Sequence, residues 1–347
     1  MKIALLNLPI DNNYGGNLQR YALVKVLQDM GHDVEHVQLK STSRYSWTTI
    51  LRIIKRSFFK IFNPNQEIFI ERNRKNRINY ILPFYNQYIP HSKKEYDEDN
   101  IQELCDFDAY IVGSDQVWRK TIAKKNLPIL FLNFIAQKDI KKLAYSVSFG
   151  SDSNELDEME IKKYGTLYNQ FDAVSVREFG GLDLIKSYGW LEPQPIQLLD
   201  PTFLLTIDNY KTLISNSRTS KSNGDLFCYL LDPSADKYEK IREIANRKGL
   251  DPFYCTLKNH FSIEQWLRSF YDAKFVITDS YHGLVFSLIF NKTFYLFRNG
   301  KRGNSRFDTL FSLFDINNSE KINWIIVNDI INKKRNEAYK FLHLFLN

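Results

Sequence analysis

The sequence predicts an α/β protein built from two Rossmann-like domains that face a cleft. Three observations support this prediction: the length of the chain, the alternation of strand-like and helix-like segments, and the polar residues that directly follow several predicted strands. The chain has 347 residues, of which 44% are hydrophobic, 15% aromatic and 25% charged, a composition typical of folded globular proteins. At about 100 to 200 residues for each domain, this length predicts two domains.

Short apolar runs separated by helical patterns are typical of parallel strands, because such strands are buried on both faces. In the first half, the predicted strands cover residues 3–8, 34–39, 109–112, 143–147 and 173–176. In the second half, the predicted strands cover 226–230, 252–255, 275–278 and 293–297, and helices cover 235–248, 263–271 and a segment from residue 281 onward. The first helix is predicted to follow a Gly/Asn turn at 12–16 and to end at Gly31.

We expect the first domain to span residues 1–200 and the second, with the C-terminal helices, to span 201–347. The first domain contains an insertion at about 41–108 that is rich in aromatic and basic residues and is too long for a simple loop. The segment 216–224, NSRTSKSNG, has the composition of a linker and gives an alternative position for the boundary.

Charge and cysteine content exclude several classes of protein. The formal net charge is +7 and the pI is near 9.0, so the chain attracts anions, but its basic residues are not gathered into a recognised nucleic-acid-binding module. The three cysteines are far apart in sequence and form no CxxC pair, which argues against a disulfide framework and a zinc site. No apolar run is long enough for a transmembrane helix. We therefore expect a cytoplasmic protein without a metal or cofactor.

The turn after the first predicted strand contains Tyr14, Gly15, Gly16 and Asn17. Backbone amides at the start of a helix can bind an anion or a hydroxyl, and this turn lies where parallel strands end. It lacks the GxGxxG fingerprint and a Walker lysine, so dinucleotide and ATP sites are not supported. A tight turn that simply requires glycine geometry remains the alternative.

Two further strands are followed by charged residues. In GSDQVW, Asp115 and Gln116 come just after the strand at 109–112, and Asp115 is either a site residue or the cap of the next helix. In SVRE, Arg177 follows the strand at 173–176, and its guanidinium suits a carboxylate or phosphate because it donates two parallel hydrogen bonds. A local ion pair with Glu178 is disfavoured, since adjacent strand residues point to opposite faces.

The segment TDSYHG follows the strand at 275–278 and opens a helix. It brings the imidazole of His282, the hydroxyl of Ser280 and the amides of Gly283 and Leu284 toward the cleft. The alternative is a structural histidine. No HExxH or HxH spacing supports a metal.

A basic loop at 298–306 ends in Ser305 and Arg306 at the start of a helix. It is expected either to close over a phosphate or to form a solvated charged turn.

The segment 44–62, RYSWTTILRIIKRSFFKIF, combines aromatic, aliphatic and basic residues. On a helix, most of the apolar residues fall along one face and most of the cations fall off it. Such a helix can lie in a membrane interface and contact anionic headgroups, or it can pack on the first domain with a solvated basic side. Both interpretations remain open.

Taken together, seven segments resemble the polysaccharide pyruvyl transferase family: NYGGNLQRYAL, GSDQVW, AYSVSFG, SVRE, LLDPTFLL, FVITDSYHGLVFSLIFNKTFYLF and NSRFDTL. Each segment alone is weak evidence, whereas their order and spacing over most of the chain are specific. The strongest match is 275–297, and the insertion at 41–108 adds almost nothing. The resemblance implies a fold like that of the two-domain GT-B glycosyltransferases. It also implies an arginine and a histidine at the donor site, at the matching positions Arg177 and His282.

The resemblance further implies that phosphoenolpyruvate is the donor and that a sugar of a growing cell-surface polysaccharide, such as a capsule or exopolysaccharide, is the acceptor. Pyruvate ends as a cyclic ketal across two hydroxyls. The acceptor is expected to be lipid-linked, which would place the enzyme at the inner face of the membrane, with segment 44–62 as a possible contact. The alternative is a glycosyltransferase of the same fold, in which region 275–306 would bind the diphosphate of a nucleotide sugar.

On this interpretation the candidate residues fall into three groups. The catalytic candidates are His282, Arg177 and Asp115. The donor or phosphate is expected to contact Arg177, Ser280, Gly283, Ser305 and Arg306. The acceptor is expected to contact Tyr14, Gly15, Gly16, Asn17 and Gln116. The roles of Asp115 and Arg306 are inferred from their placement alone.

Overall fold

A computed structural model describes residues 1–41, 57, 70–137, 139–150, 153–256, 259–298, 304–316, 319 and 321–346. Apart from residue 57, the predicted helix over 44–62 lies outside the described residues. The loop at 299–303 also lies outside them.

The first sheet has six parallel strands in the order β2-β1-β3-β4-β5-β6. Their bounds are β1 (Lys2–Leu6), β2 (Asp33–Val37), β3 (Ala109–Val112), β4 (Lys141–Val147), β5 (Ala173–Val176) and β6 (Ile196–Gln197). Every residue of β3 and of β5 is buried, which explains why these strands are continuous apolar runs in the sequence. The two-residue β6 was not predicted, because it has no such run.

The second sheet has four parallel strands in the order β10-β9-β7-β8. Their bounds are β7 (Leu226–Tyr229), β8 (Pro252–Cys255), β9 (Phe275–Thr278) and β10 (Thr293–Leu296). The predicted α/β class with two parallel sheets is confirmed.

Helices connect the strands of both sheets. In the described part of the chain they are α1 (Tyr14–Asp29), α2 (Ile70–Tyr88), α3 (Lys120–Ala123), α4 (Leu127–Leu130), α5 (Glu158–Tyr168), α6 (Phe179–Ser187), α7 (Ile207–Ser215), α8 (Ala235–Lys248), α9 (Ile263–Asp272), α10 (Tyr281–Ile289), α11 (Ser305–Leu313) and α12 (Trp324–Leu346). The predicted turn at 12–16 is wrong in one respect, since α1 already begins at Tyr14 and includes Gly15 and Gly16. Among these helices, none combines the length and apolar character needed to cross a bilayer.

The two sheets share one continuous hydrophobic core. It includes Ile3 and Leu5 of β1 together with Phe227 of β7 and Val276 of β9. Pro201–Leu204 packs against α1, and α12 returns to β4 of the first sheet. The carboxyl ends of strands from both sheets therefore meet at one seam, where the polar residues after β3, β5 and β9 come together.

The described part of the insertion supports this seam. Helix α2 belongs to it, and Arg77 of α2 donates a hydrogen bond from Nη2 to the carbonyl oxygen of Thr256 at 2.5 Å. The Arg77 guanidinium also lies 5.2 Å from the ring centroid of Tyr14. After α2, His91 and Tyr96 pair with the chain at and beyond β2. The described part of the insertion thus joins the two halves of the chain.

Candidate active site

Arg177 directly follows β5, and its buried guanidinium is surrounded by three carboxylates. Nη1 donates to Oδ2 of Asp200 at 3.2 Å, and Nε donates to Oε2 of Glu178 at 3.5 Å. Nη2 lies 3.7 Å from Oδ1 of Asp115 and has no hydrogen-bond partner among the described residues. Burial lowers the pKa of Arg177, but Tyr281 and the three carboxylates raise it above its ordinary value. Arg177 is therefore permanently charged, and two of its three nitrogens are already engaged.

The ion pair between Arg177 and Glu178 corrects the sequence argument that disfavoured it. Both residues lie beyond the end of β5, where the alternation of strand side chains no longer applies. Oε1 of Glu178 accepts hydrogen bonds from Oγ of Ser148 at 2.7 Å and from the amides of Phe149 and Gly150 at 3.2 and 3.3 Å. Glu178 thus fixes the loop after β4 beside the Arg177 guanidinium.

Asp200, which is fully buried, links the two sides of the seam. Its Oδ1 accepts hydrogen bonds from the amide and the hydroxyl of Thr202 at 3.1 and 2.7 Å. Its Oδ2 accepts from Gln19 and Arg177 and lies 3.6 Å from Nε2 of His282. Burial alone would raise the pKa of the Asp200 carboxyl, but His282 and then Arg177 hold it below its ordinary value. Asp200 is therefore a buried anion in contact with the imidazole.

His282 lies in the first turn of α10, with its ring packed against Gly15 of α1. A methyl group on Gly15 would lie 2.0 Å from Cγ and 2.1 Å from Nδ1 of His282. Gly15 is inside a helix and has no left-handed backbone conformation. The alternative of a tight turn that needs glycine geometry is therefore wrong. Glycine is required at this position because the imidazole approaches the backbone too closely for any side chain.

Tyr281 lies next to two buried arginines. The Cζ atom of Arg177 is 4.4 Å from the Tyr281 ring centroid, and that of Arg306, at the start of α11, is 5.6 Å from it. These distances are typical of cation–π contacts. Burial, and then the positive charge of Arg177, lower the pKa of Arg306. The carboxylates of Glu178 and Asp115 partly offset the repulsion between the two guanidiniums.

Asp115 has a backbone φ of 80°, a region that residues other than glycine rarely adopt. Its Oδ1 accepts a hydrogen bond from the amide of Gln116 at 2.9 Å, and its Oδ2 accepts from Nδ2 of Asn13 at 3.4 Å. The next helix, α3, begins only at Lys120. The alternative of a helix cap is therefore wrong, and this strained backbone directs the Asp115 carboxylate toward Arg177.

Two residues predicted to contact the acceptor are buried and hydrogen-bonded within the chain. Tyr14 is fully buried, and its hydroxyl donates to the carbonyl oxygen of Phe261 at 3.0 Å and accepts from the amide of Phe261 at 3.2 Å. Asn17 is also fully buried, and its Nδ2 donates to the carbonyl oxygen of Asn13 at 2.8 Å. The contact of these two side chains with an acceptor stays a prediction. Gln116 is partly exposed, and its Oε1 accepts from Arg119 at 2.9 Å.

The amides at the start of α10 are likewise occupied. Ser280 caps the helix, and its Oγ accepts from the amide of Gly283 at 3.3 Å. The amide of Leu284 donates to the carbonyl oxygen of Ser280 at 3.0 Å. The amides of Gly283 and Leu284 thus already have partners within the chain, and their contact with a phosphate stays a prediction. Ser305, one residue before Arg306, is partly buried at the first position of α11.

The structure thus brings together Arg177, Asp115, His282 and Arg306, which the sequence analysis singled out separately. It adds residues that the sequence analysis missed at this site: Asp200, Gln19, Thr202 and Tyr281. Asp200 had a usable signal, because in LLDPTFLL it is the polar residue that ends an apolar run. Among the described residues, no group of three or more His, Cys, Asp and Glu side chains is arranged to hold a metal ion.

A family model described as polysaccharide pyruvyl transferase matches residues 13–301. The chain belongs to the polysaccharide pyruvyl transferase family. The match begins at the residue before α1 and covers every strand of both sheets from β2 onward. It therefore includes Asp115, Arg177, Asp200 and His282, whereas Arg306 lies just beyond it. No curated protein matches this chain significantly.

Several solved structures are similar to this chain over almost its whole length. The chain is similar to UDP-GlcNAc 2-epimerase from Neisseria meningitidis, with 8% identity, a TM-score of 0.47 and coverage of 100% of this chain and 99% of that chain. It is also similar to the MnaA–UDP structure from S. aureus, with 12% identity, a TM-score of 0.48 and coverage of 100% and 98%. An alpha-glucosyltransferase in complex with UDP gives 12% identity, a TM-score of 0.42 and coverage of 99% and 96%. Similarity at this level says nothing about what this chain binds.

Proposed function

We propose that this protein transfers pyruvate from phosphoenolpyruvate onto two hydroxyls of a sugar, forming a cyclic ketal during the synthesis of a cell-surface polysaccharide. The observation that carries the proposal is the buried group formed by Arg177, Arg306 and His282 around Tyr281. Two guanidiniums suit the carboxylate and phosphate of the donor, and an imidazole suits the proton transfer that ketal formation requires.

The donor anion would lie between Nη2 of Arg177 and the guanidinium of Arg306. Because Nη1 and Nε of Arg177 already donate to carboxylates, Arg177 offers one nitrogen rather than the bidentate fork expected from the sequence. The three carboxylates of this cluster outnumber its two guanidiniums by one charge. The proton that His282 transfers in the reaction would supply a balancing positive charge beside the donor.

In the proposed reaction, His282 gives its proton to the methylene carbon of phosphoenolpyruvate, which leaves an oxocarbenium-like C2. One sugar hydroxyl adds to C2 and its proton returns to His282. The second hydroxyl then displaces phosphate from C2, and its proton passes through Asp115 to the departing phosphate. The arginines stabilise the negative charge that grows on the phosphate. One C–H bond and two C–O bonds form, and the C–O bond to phosphate breaks.

The test combines ligand binding with turnover. A ligand at 100 times its dissociation constant stabilises the protein by about 2.7 kcal/mol, so phosphoenolpyruvate is expected to raise the melting temperature, whereas UDP-sugars are not. Incubation with phosphoenolpyruvate and a panel of lipid-linked sugars should release phosphate only with a productive acceptor, and mass spectrometry should find the added pyruvyl group. Stabilisation by a UDP-sugar together with release of UDP would overturn the proposal in favour of a glycosyltransferase.

A cytoplasmic location, at the inner face of the membrane where a lipid-linked acceptor would be met, is part of this proposal. The amphipathic composition of segment 44–62 supports it. The protein is then expected to co-sediment with anionic vesicles and not with neutral ones. Neutralising Arg52, Lys55, Arg56 and Lys60 should release it, at about 1 kcal/mol for each cation near the surface. Equal sedimentation with both kinds of vesicle would refute the membrane contact.

A further inference from the structure

We propose that Asp200 is a positioning residue that fixes the tautomer of His282 and thereby selects Nδ1 as the atom that transfers the proton. Asp200 is fully buried and is engaged on both oxygens, so it does not itself reach a substrate. The contact between Asp200 and His282 is independent of the donor's identity. Only the reaction that His282 then performs rests on the proposed function.

The groups around Asp200 require a charged carboxylate. Gln19, Arg177 and both the amide and the hydroxyl of Thr202 direct hydrogen-bond donors at it. A carboxylate accepts from all of them, whereas the hydroxyl of a protonated acid would compete with these donors. The lowered pKa of Asp200 agrees with this arrangement. Asp200 therefore presents a fixed negative charge to the imidazole.

Nε2 of His282 is the ring nitrogen that faces this charge. It lies 3.6 Å from Oδ2 of Asp200 and is buried without a hydrogen-bond partner among the described residues. A buried nitrogen at this distance from a carboxylate is stabilised when it carries a hydrogen and destabilised when it presents a lone pair. The neutral ring is therefore expected to be the Nε2–H tautomer.

The lone pair is then on Nδ1, which lies on the side of Gly15. Any side chain at Gly15 would overlap this part of the ring, since even a methyl group would lie 2.0 Å from Cγ and 2.1 Å from Nδ1. Gly15 thus lies against the Cγ–Nδ1 side of the ring, and Asp200 faces Nε2. In the proposed reaction, Nδ1 gives its proton to the methylene carbon of the donor and takes the proton of the first sugar hydroxyl, while Nε2 keeps its hydrogen throughout.

The deciding experiment needs no substrate. The 15N chemical shifts of the His282 imidazole, in protein labelled on its six histidines, report which nitrogen carries the hydrogen, and the His282→Gln variant assigns the resonances. At a pH where the ring is neutral, we expect the Nε2–H tautomer. An Nδ1–H tautomer, or an equal mixture of the two, would overturn the proposal whatever the donor of the reaction proves to be.

Two variants add a kinetic readout. Asp200→Asn is expected to lose the tautomer preference and to lower kcat about 10- to 100-fold, the range for partners that orient a histidine. This variant places an amide nitrogen among hydrogen-bond donors, which opposes folding, so Thr202→Val is the milder test. Thr202→Val removes the 2.7 Å hydrogen bond to Asp200 and should lower kcat while leaving the KM for phosphoenolpyruvate unchanged. Reduced stability with wild-type kcat and tautomer would give Asp200 a purely structural role and overturn the proposal.

Discussion

His36 and His282 are both buried, with 1% and 6% of their surface exposed, but their partners differ in charge. Nδ1 of His36 lies 2.7 Å from the neutral hydroxyl of Tyr85, whereas Nε2 of His282 lies 3.6 Å from the charged carboxylate of Asp200. Burial therefore does not by itself distinguish these two histidines. The charge of the partner separates them, because only a carboxylate stabilises the protonated ring that can donate a proton.

The surroundings of His36 reinforce this difference. Burial, and then the positive charges of Arg20 and His91, hold the pKa of His36 well below its ordinary value. His36 lies on β2, the edge strand of the first sheet, where the described end of the insertion pairs with the chain. His36 is thus a neutral part of the packing at one edge of the molecule, and His282 lies at the seam between the sheets.

The largest expected effect comes from exchanging each histidine for glutamine. His282→Gln should lower turnover about 100- to 10,000-fold, the usual cost of losing a general acid or base, while circular dichroism shows an intact fold. The matched variant His36→Gln should lower the melting temperature and leave kcat unchanged. Equal turnover in the two variants would remove the functional distinction between the two sites.

The second largest effect is expected at the glycines of α1. Gly15→Ala would place a methyl group within 2.0 Å of the His282 ring, whereas Gly16→Ala would place one 3.3 Å from the side chain of Asn13. We expect Gly15→Ala to displace the imidazole and to lower kcat roughly 10-fold or more, since small misplacements of a reacting group are costly. Gly16→Ala should have a clearly smaller effect on kcat. Comparable kcat values for the two variants would show that the close approach to His282 has no consequence for catalysis.

The two arginines should differ in a smaller but separable way. Arg306→Lys is expected to raise the KM for phosphoenolpyruvate about 10-fold, the cost of weakening one charge-assisted hydrogen bond. Arg177→Lys should raise that KM as well and should also lower the melting temperature, because lysine cannot keep the contacts with both Asp200 and Glu178. Thermal denaturation of both variants gives the melting temperatures, and saturation curves with phosphoenolpyruvate give the KM values for this comparison. A wild-type KM in Arg306→Lys would exclude Arg306 from the donor site.

The smallest effect is a pH dependence of stability. Because the pKa of His36 is lowered in the folded protein, the unfolded chain binds the extra proton first. His36 therefore contributes stability that is fully present above about pH 6.5, the ordinary value, and is lost as the pH falls below it. The free energy of unfolding should fall by roughly 1.4 kcal/mol for each pH unit below about pH 6.5. Urea denaturation of the wild type and of His36→Gln at several values between about pH 7.5 and 5.5 isolates this contribution. An equal change of the free energy of unfolding with pH in the two proteins would contradict it.

Much of the fold could be predicted from the sequence, because strands buried on both faces must be continuous apolar runs. The predicted ranges of β3, β5, β8 and β9 agree with the structure residue by residue. Asp115, Arg177 and His282 could be singled out for a related reason. Each follows a buried strand, and the carboxyl ends of parallel strands share one edge of a sheet.

The sequence by itself determined the two parallel sheets and the edge at which the site lies. Only the tertiary structure decided which partners the site residues have. Asp200 meets His282 across 82 positions of chain, and Gly15 meets the same ring across 267. No local pattern encodes such contacts, because they depend on how two sheets and their helices pack at a shared core. The same packing buried Tyr14 and Asn17, which the sequence analysis assigned to acceptor binding. It also made Asp200, rather than the aspartate of either of the other two Asp-Pro pairs, the charged partner of the histidine.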